Sequence, residues 1–176
     1  MMNLTIRYEE RMKLDLERSL ASMREQLASY CEKKKIEDAI VVGIHTGGVW
    51  VAEHLMSAVP TTEPLATLDI TFYRDDFTKA GLNPKVNQTL LPAIEDRHVI
   101  LVDDVLMSGR TIRAAMNEIF DFGRPASITL AILYDLGQHE LPIAADIVGE
   151  QLTLNPDQRV KLTGPQPLGF SVINTD

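Results

Sequence analysis

From Met12 to Tyr30 the apolar positions Met12, Leu16, Leu20, Met23, Leu27 and Tyr30 recur at steps of three or four residues. That spacing lays one stripe along a helix, so the pattern predicts a long amphipathic helix here. The period then changes. Ala39 to Ile44 is apolar throughout, Gly47 and Gly48 mark a turn, and a second helix-like stretch runs to about Ala58. Residues 67–73 read as β-rich, and a polar loop with Gly81 and Pro84 follows to about Gln88. Residues 98–102 form a buried-type strand, 111–122 a helix and 127–133 another strand. Short, wholly apolar strands alternating with helices predict an α/β fold whose central, mostly parallel sheet is flanked by helices on both faces. From Asp135 this rhythm is lost. With Pro142, Pro156, Pro165 and Pro167, the tail reads as short strands and loops forming a cap.

Composition narrows the picture only at a few points. The 176 residues are 45% hydrophobic and 24% charged, which fits one globular domain and excludes a disordered chain. There is no internal repeat, low-complexity stretch or dividing linker, so residues 1–176 are expected to form a single domain. A net charge of -8 gives no long-range attraction to nucleic-acid phosphates. The apolar runs are too short to span a bilayer, and the N-terminus has no signal-peptide core, so no membrane partner and a cytoplasmic location are expected. Cys31 is the only cysteine, which excludes an internal disulfide and a cysteine-cluster metal site.

Candidate chemistry concentrates in Val99-Ile-Leu-Val-Asp-Asp-Val-Leu-Met-Ser-Gly-Arg-Thr111. The pattern predicts a central strand ending in Asp103 and Asp104, then the loop Val105, Leu106 and Met107, then a helix start at Ser108, Gly109, Arg110 and Thr111. In open parallel sheets the ligand crevice lies beyond the carboxyl ends of the strands, where the acidic pair falls. A helix N-terminus offers unpaired N–H groups and a positive dipole end to a phosphate. Gly109 permits close backbone approach, and the Ser108 and Thr111 hydroxyls add donors. Two carboxylates beside a phosphate cradle suit a ribose 5-phosphate, with Asp103 and Asp104 on its hydroxyls. Each half alone is as often a turn or a helix cap, and it is the combination that points to a ligand. A mononucleotide P-loop is excluded, because its glycine-to-Gly-Lys-Ser/Thr spacing is absent.

Val99 to Thr111 resembles the signature by which type I phosphoribosyltransferases bind 5-phosphoribosyl-1-pyrophosphate (PRPP). The stretches 68–76, 99–113, 122–127 and 140–143 are more specifically similar to the PyrR family, whose members combine pyrimidine-operon RNA attenuation with uracil phosphoribosyltransferase activity. The resemblance covers roughly residues 39–149. It implies a type I phosphoribosyltransferase fold with a small hood, built from about 74–90 and 135–176. It further implies the conversion of uracil and PRPP to UMP and pyrophosphate with Mg2+, and a homo-oligomer. By the same resemblance Thr46, Gly47 and Gly48 form the pyrophosphate-side loop, and Tyr73, Arg74, Asp75 and Asp76 begin a loop closing over PRPP. Asp103 and Asp104 hold the ribose directly or through metal-bound water, Arg74 stabilises the leaving group, and uracil is recognised around residues 133–143.

The chain departs from the family's pattern at several cationic positions. The family's basic–Thr–Arg–Gly is here His45-Thr46-Gly47-Gly48, and its Asp-Arg-Gly-His-Arg-Glu is Asp135-Leu-Gly-Gln-His-Glu140. A further family arginine is Ala144, and the basic pattern on the first helix is reduced to Met23-Arg24 and Leu27. RNA binding is therefore expected to be weak. Three readings stay open: an enzyme making UMP, a UMP-sensing RNA regulator with little catalysis, and a phosphoribosyltransferase for another base.

Overall fold

The computed structural model describes residues 2–71 and 89–175, with side chains described from Asp15 onward. The predicted first helix is longer than its apolar stripe: α1 spans Met2–Lys34. Leu16, Leu20, Met23 and Leu27 are buried along it, as the spacing requires. β1 (Ala39–Ile44) leads to α2 (Gly47–Leu55), a short helical turn (Met56–Ala58) and β2 (Ala66–Leu68). β3 (His98–Leu106), α3 (Arg110–Phe122) and β4 (Ser127–Asp135) follow, then β5 (Ile147–Gln151), β6 (Gln158–Thr163) and β7 (Gly169–Asn174).

Among the described residues one five-stranded sheet has the order β2-β1-β3-β4-β5, with every neighbouring pair parallel. The central runs of β1, β3 and β4 are mostly apolar because both faces are covered. Alternate residues serve opposite cores. Ala39, Val41, Ile100, Val102, Ala131 and Leu133 face the core that contains α1 and α2. Ile40, Val42, Val99, Leu101, Leu130 and Ile132 face the core that contains α3. β1 and β3 are adjacent, yet the helices that follow them lie on opposite faces. The chain directions therefore diverge between these two strands, and a crevice opens at their carboxyl ends.

Three expectations change. The strand expected over residues 98–102 continues to Leu106, because its pairing with β4 persists through Val105↔Tyr134 and Leu106↔Asp135. Of the β-rich segment expected over 67–73, the described residues, which end at Thr71, pair in the sheet as Ala66–Leu68. Beyond it the Asp69 carboxylate accepts the Thr71 N–H (2.8 Å) and the Thr71 hydroxyl, a local turn that competes with strand pairing. The tail is not only a cap. β5 joins the sheet as its edge strand, and only β6 and β7 form a separate antiparallel hairpin. That hairpin packs Leu162 and Phe170 into the α1 core, with the Phe170 and Tyr134 ring centroids 4.9 Å apart. Cys31 is buried in the same core, and burial raises its thiol pKa. No described helix is long and apolar enough to cross a membrane.

Candidate phosphoribosyl site

Two loops meet at the crevice between β1 and β3. The first is the turn from β1 into α2, where the His45–Thr46 peptide is cis and Thr46 stands at the helix N-cap without using its hydroxyl to cap. Gly47 and Gly48 open α2 rather than forming a separate turn before it. The second is the end of β3. A methyl group added at Gly47 would lie 2.2 Å from Asp104 Oδ2, and one at Gly48 would lie 2.5 Å from the Val102 carbonyl and 3.0 Å from Asp103 Oδ1. The fold thus brings Gly47 and Gly48 directly against the acidic pair.

The two carboxylates have different surroundings. Asp103 is 3% exposed and its Oδ1 accepts the Asp104 N–H at 2.9 Å, so it also shapes the strand end. Asp104 is half-buried, and its Oδ1 accepts the Val105 N–H at 2.9 Å. Val105 and Leu106 prove to be strand residues, and Leu106 is buried in the α3 core, so its side chain packs inward. Met107 is exposed.

The loop expected to cradle the phosphate follows. Gly109 has φ +91°, a left-handed conformation that glycine adopts without the clash a Cβ would introduce. It caps α3, whose first intrahelical bond is Arg113 N–H to the Gly109 carbonyl at 2.9 Å. The preceding N–H groups, of Arg110, Thr111 and Ile112, open the helix, and the Arg110 N–H donates to Ser108 Oγ at 3.2 Å. Arg110 directs its guanidinium elsewhere. Nε and Nη2 both donate to Glu140 Oε2, at 3.1 and 3.0 Å.

Sequence reasoning missed what holds the third wall. The Ser108 carbonyl accepts the N–H groups of Glu140 (3.0 Å) and Leu141 (3.2 Å), and the Leu106 carbonyl accepts that of Leu136. Ile143 packs beside Gly109, 3.4 Å from where a Cβ would stand. Asp135 Oδ1 accepts the Gly137 N–H and contacts His139 Nε2 at 2.8 Å, which folds the segment back on itself. Residues 136–143 therefore lie along the loop that opens α3. Leu133 and Tyr134, at the start of the stretch expected to recognise uracil, bury their side chains in the α1 core. These contacts join positions some thirty residues apart, and neither period nor motif signals them. Tyr73, Arg74, Asp75 and Asp76 lie outside the described residues.

The donor set also bears on the metal. No group of three or more His, Cys, Asp or Glu side chains converges among the described residues, so they form no complete protein cage. One or two carboxylates beside a phosphate site fit Mg2+, which keeps its waters and is usually bound together with substrate phosphates. Asp103 and Asp104 meet that requirement.

The sequence pattern of the Phosphoribosyl transferase domain matches residues 14–162. Structurally the chain is similar to a hypoxanthine-guanine phosphoribosyltransferase from Bacillus anthracis, with a TM-score of 0.64 and 18% identity over 82% of each chain. It is also similar to a hypoxanthine phosphoribosyltransferase from Trypanosoma cruzi solved with IMP, with a TM-score of 0.61 and 18% identity over 78% of this chain and 77% of that one. These likenesses show the fold. In sequence the chain is 57% identical over 152 residues to the Bifunctional protein PyrR of Pseudomonas paraeruginosa, covering 86% of this chain and 89% of that protein. It is 53% identical over 158 residues to the Bifunctional protein PyrR of Nitrosococcus oceani, covering 88% of each. Matched over most of its length by these relatives and built on the type I phosphoribosyltransferase fold, the chain belongs to the PyrR family.

Proposed function

We propose that the protein transfers the phosphoribosyl group of PRPP to uracil in the cytoplasm, giving UMP and pyrophosphate. The observation that carries this reading is the meeting of the Asp103–Asp104 pair, the Thr46–Gly48 turn and the start of α3 at one crevice. The start of α3 would take the 5-phosphate on backbone N–H groups and on the Ser108 and Thr111 hydroxyls. Asp103 and Asp104 would accept the ribose hydroxyls, and the Thr46–Gly48 turn would receive the pyrophosphate. No covalent nucleophile is required. As the bond from ribose C1 to pyrophosphate breaks, positive charge grows on the sugar beside two carboxylates that are already in place. The uracil nitrogen bonds to C1 as pyrophosphate leaves, and its proton passes to the departing pyrophosphate or to solvent. Mg2+ bound with PRPP through Asp103 and Asp104 would offset the negative charge of the leaving group. Arg74 would do the same from the segment beyond Thr71.

The test is UMP formation from labelled uracil, with and without PRPP. PRPP-dependent UMP supports the reading. UMP binding without turnover would favour a UMP-sensing regulator, and turnover with another base but not with uracil would exclude uracil as the substrate. The family-specific residues 68–76 favour uracil over another base.

A further inference from the structure

Arg110 and Glu140 link the loop that opens α3 to the segment beside it through their side chains, and neither residue belongs to the buried core. Both are about half exposed, at 52% and 59% of their side-chain surface. An ion pair so open to water contributes little to stability, so its two-point geometry calls for another explanation. Both guanidinium donors, Nε and Nη2, converge on a single oxygen, Glu140 Oε2. Glu140 and Leu141 also donate their backbone N–H groups to the Ser108 carbonyl, next to the residues that open α3. The Ile143 side chain completes the contact at Gly109. One side of this junction is the phosphate cradle. The other is a short segment of half-buried Leu141 and Ile143, apolar side chains that would face a flat pyrimidine.

From this we infer that Glu140 is a positioning residue for the base: through Arg110 it holds residues 140–143 at a fixed distance from the bound phosphate. The inference rests on the proposed phosphoribosyl site and deepens it. The nucleotide's phosphate and its base are one ribose apart, so a base-contacting segment must keep that spacing from the phosphate loop. Backbone bonds to Ser108 fix one point of the segment. The Arg110–Glu140 contact fixes a second and stops rotation about the first.

The test compares two ligands that differ only in the base. Kd values for UMP and ribose 5-phosphate are measured by calorimetry on the whole protein, for the wild type, Glu140→Gln, Arg110→Lys and the double variant. Arg110→Lys keeps the backbone N–H and the charge but cannot reproduce the two-donor contact. The wild type is expected to prefer UMP. Each single variant should cut that preference roughly fivefold, and the double variant should cut it no further, as two residues acting as one contact must. Thermal melts followed at Trp50 should stay near wild type, since the pair is exposed. An unchanged ratio, whether both affinities hold or both fall together, overturns the inference. So does a double variant whose loss is the product of the single losses. A wild-type protein that binds neither ligand overturns the phosphoribosyl site itself, which is a different and visible failure.

Discussion

Gly47 stands where the family's pattern has an arginine, and the structure gives the substitution a physical consequence. Asp104 Oδ2 occupies the space that a side chain at position 47 would enter, 2.2 Å from its Cβ. Any residue larger than glycine must displace that carboxylate. Because the obstructing atom is the end of a side chain and not backbone, the displacement costs function more than fold. Gly47→Ala is therefore expected to leave the melting temperature nearly unchanged while weakening PRPP binding by on the order of tenfold, through misplacement of Asp104. Calorimetry with PRPP checks this, and an unaltered affinity would show that Asp104 does not touch the ligand. Asp104→Asn should give a comparable loss. Asp103→Asn is a less clean variant, because Asp103 is nearly buried and its carboxylate also accepts the Asp104 N–H.

Between elements, the amino-terminal edge of the sheet is tied by one cluster. Asp38, just before β1, accepts the Thr62 N–H at 3.0 Å and its hydroxyl at 3.2 Å, and pairs with Arg97, just before β3, at 2.7 Å. The Thr62 N–H foremost, then its hydroxyl and Arg97, hold the Asp38 pKa below 3.8, the value for a free side chain. A group whose folded pKa is depressed contributes stability above its unfolded pKa and loses it as pH falls through the folded value. Asp38→Asn should therefore destabilise at neutral pH, and the difference from wild type should begin to shrink below about pH 4 and vanish only below the depressed folded pKa. Parallel acid titrations followed by circular dichroism would show whether the two curves meet. At the other edge of the sheet lies β5, whose outer backbone is met by a side chain of α1. Gln26 Nε2 donates to the Val148 carbonyl at 2.8 Å, and Gln26 Oε1 accepts the Val148 N–H at 3.3 Å, so an amide takes the place of a neighbouring strand. Gln26→Leu should cost about 1 kcal/mol and lower Tm by about 2–4 °C, measurable by calorimetric scanning. Elements of this kind explain what the sequence reveals. The α1 stripe and the apolar runs of β1, β3 and β4 were legible because one period is imposed by burial along each whole element. β5 was not, because Ile147–Gln151 is a half-exposed edge whose pattern, buried at one end and exposed at the other, carries no clear period. The acidic pair and the phosphate loop were legible as a contiguous motif. The wall formed by residues 136–143 was not, since it depends on backbone bonds to Ser108 that any sequence can make.

For the molecule as a whole the open issue is RNA. Affinity for a phosphate backbone comes mainly from cationic side chains, and each lost contact weakens binding and flattens its dependence on salt. The chain carries a net charge of -8. Of the positions where the family tends to place cations, Leu136 is buried, Gln138 and Ala144 are exposed but neutral, and His139 is engaged with Asp135. Leu27 adds nothing on either side of the argument, because it is fully buried in the α1 core and is not a surface position. Arg24 reaches the His54 carbonyl at 3.4 Å, and Lys34 lies 5.8 Å from the centre of the Tyr30 ring, so two of the basic residues of α1 already have neighbours within the chain. Binding to stem-loop RNA from pyrimidine leaders is accordingly expected to be weak at physiological salt, with a shallow salt dependence. A homo-oligomer offers the contrary route, since it could gather Arg18, Arg24 and Lys33 to Lys35 from several subunits into one basic surface. A gel-shift titration against leader RNA from the protein's own operon, with and without UMP and at two salt concentrations, separates the two. Binding only above micromolar concentration, indifferent to UMP, fits a protein that works as a salvage enzyme. Submicromolar binding that UMP strengthens and salt steeply weakens would mean that assembly restores the cations the single chain lacks, and that attenuation is part of its function.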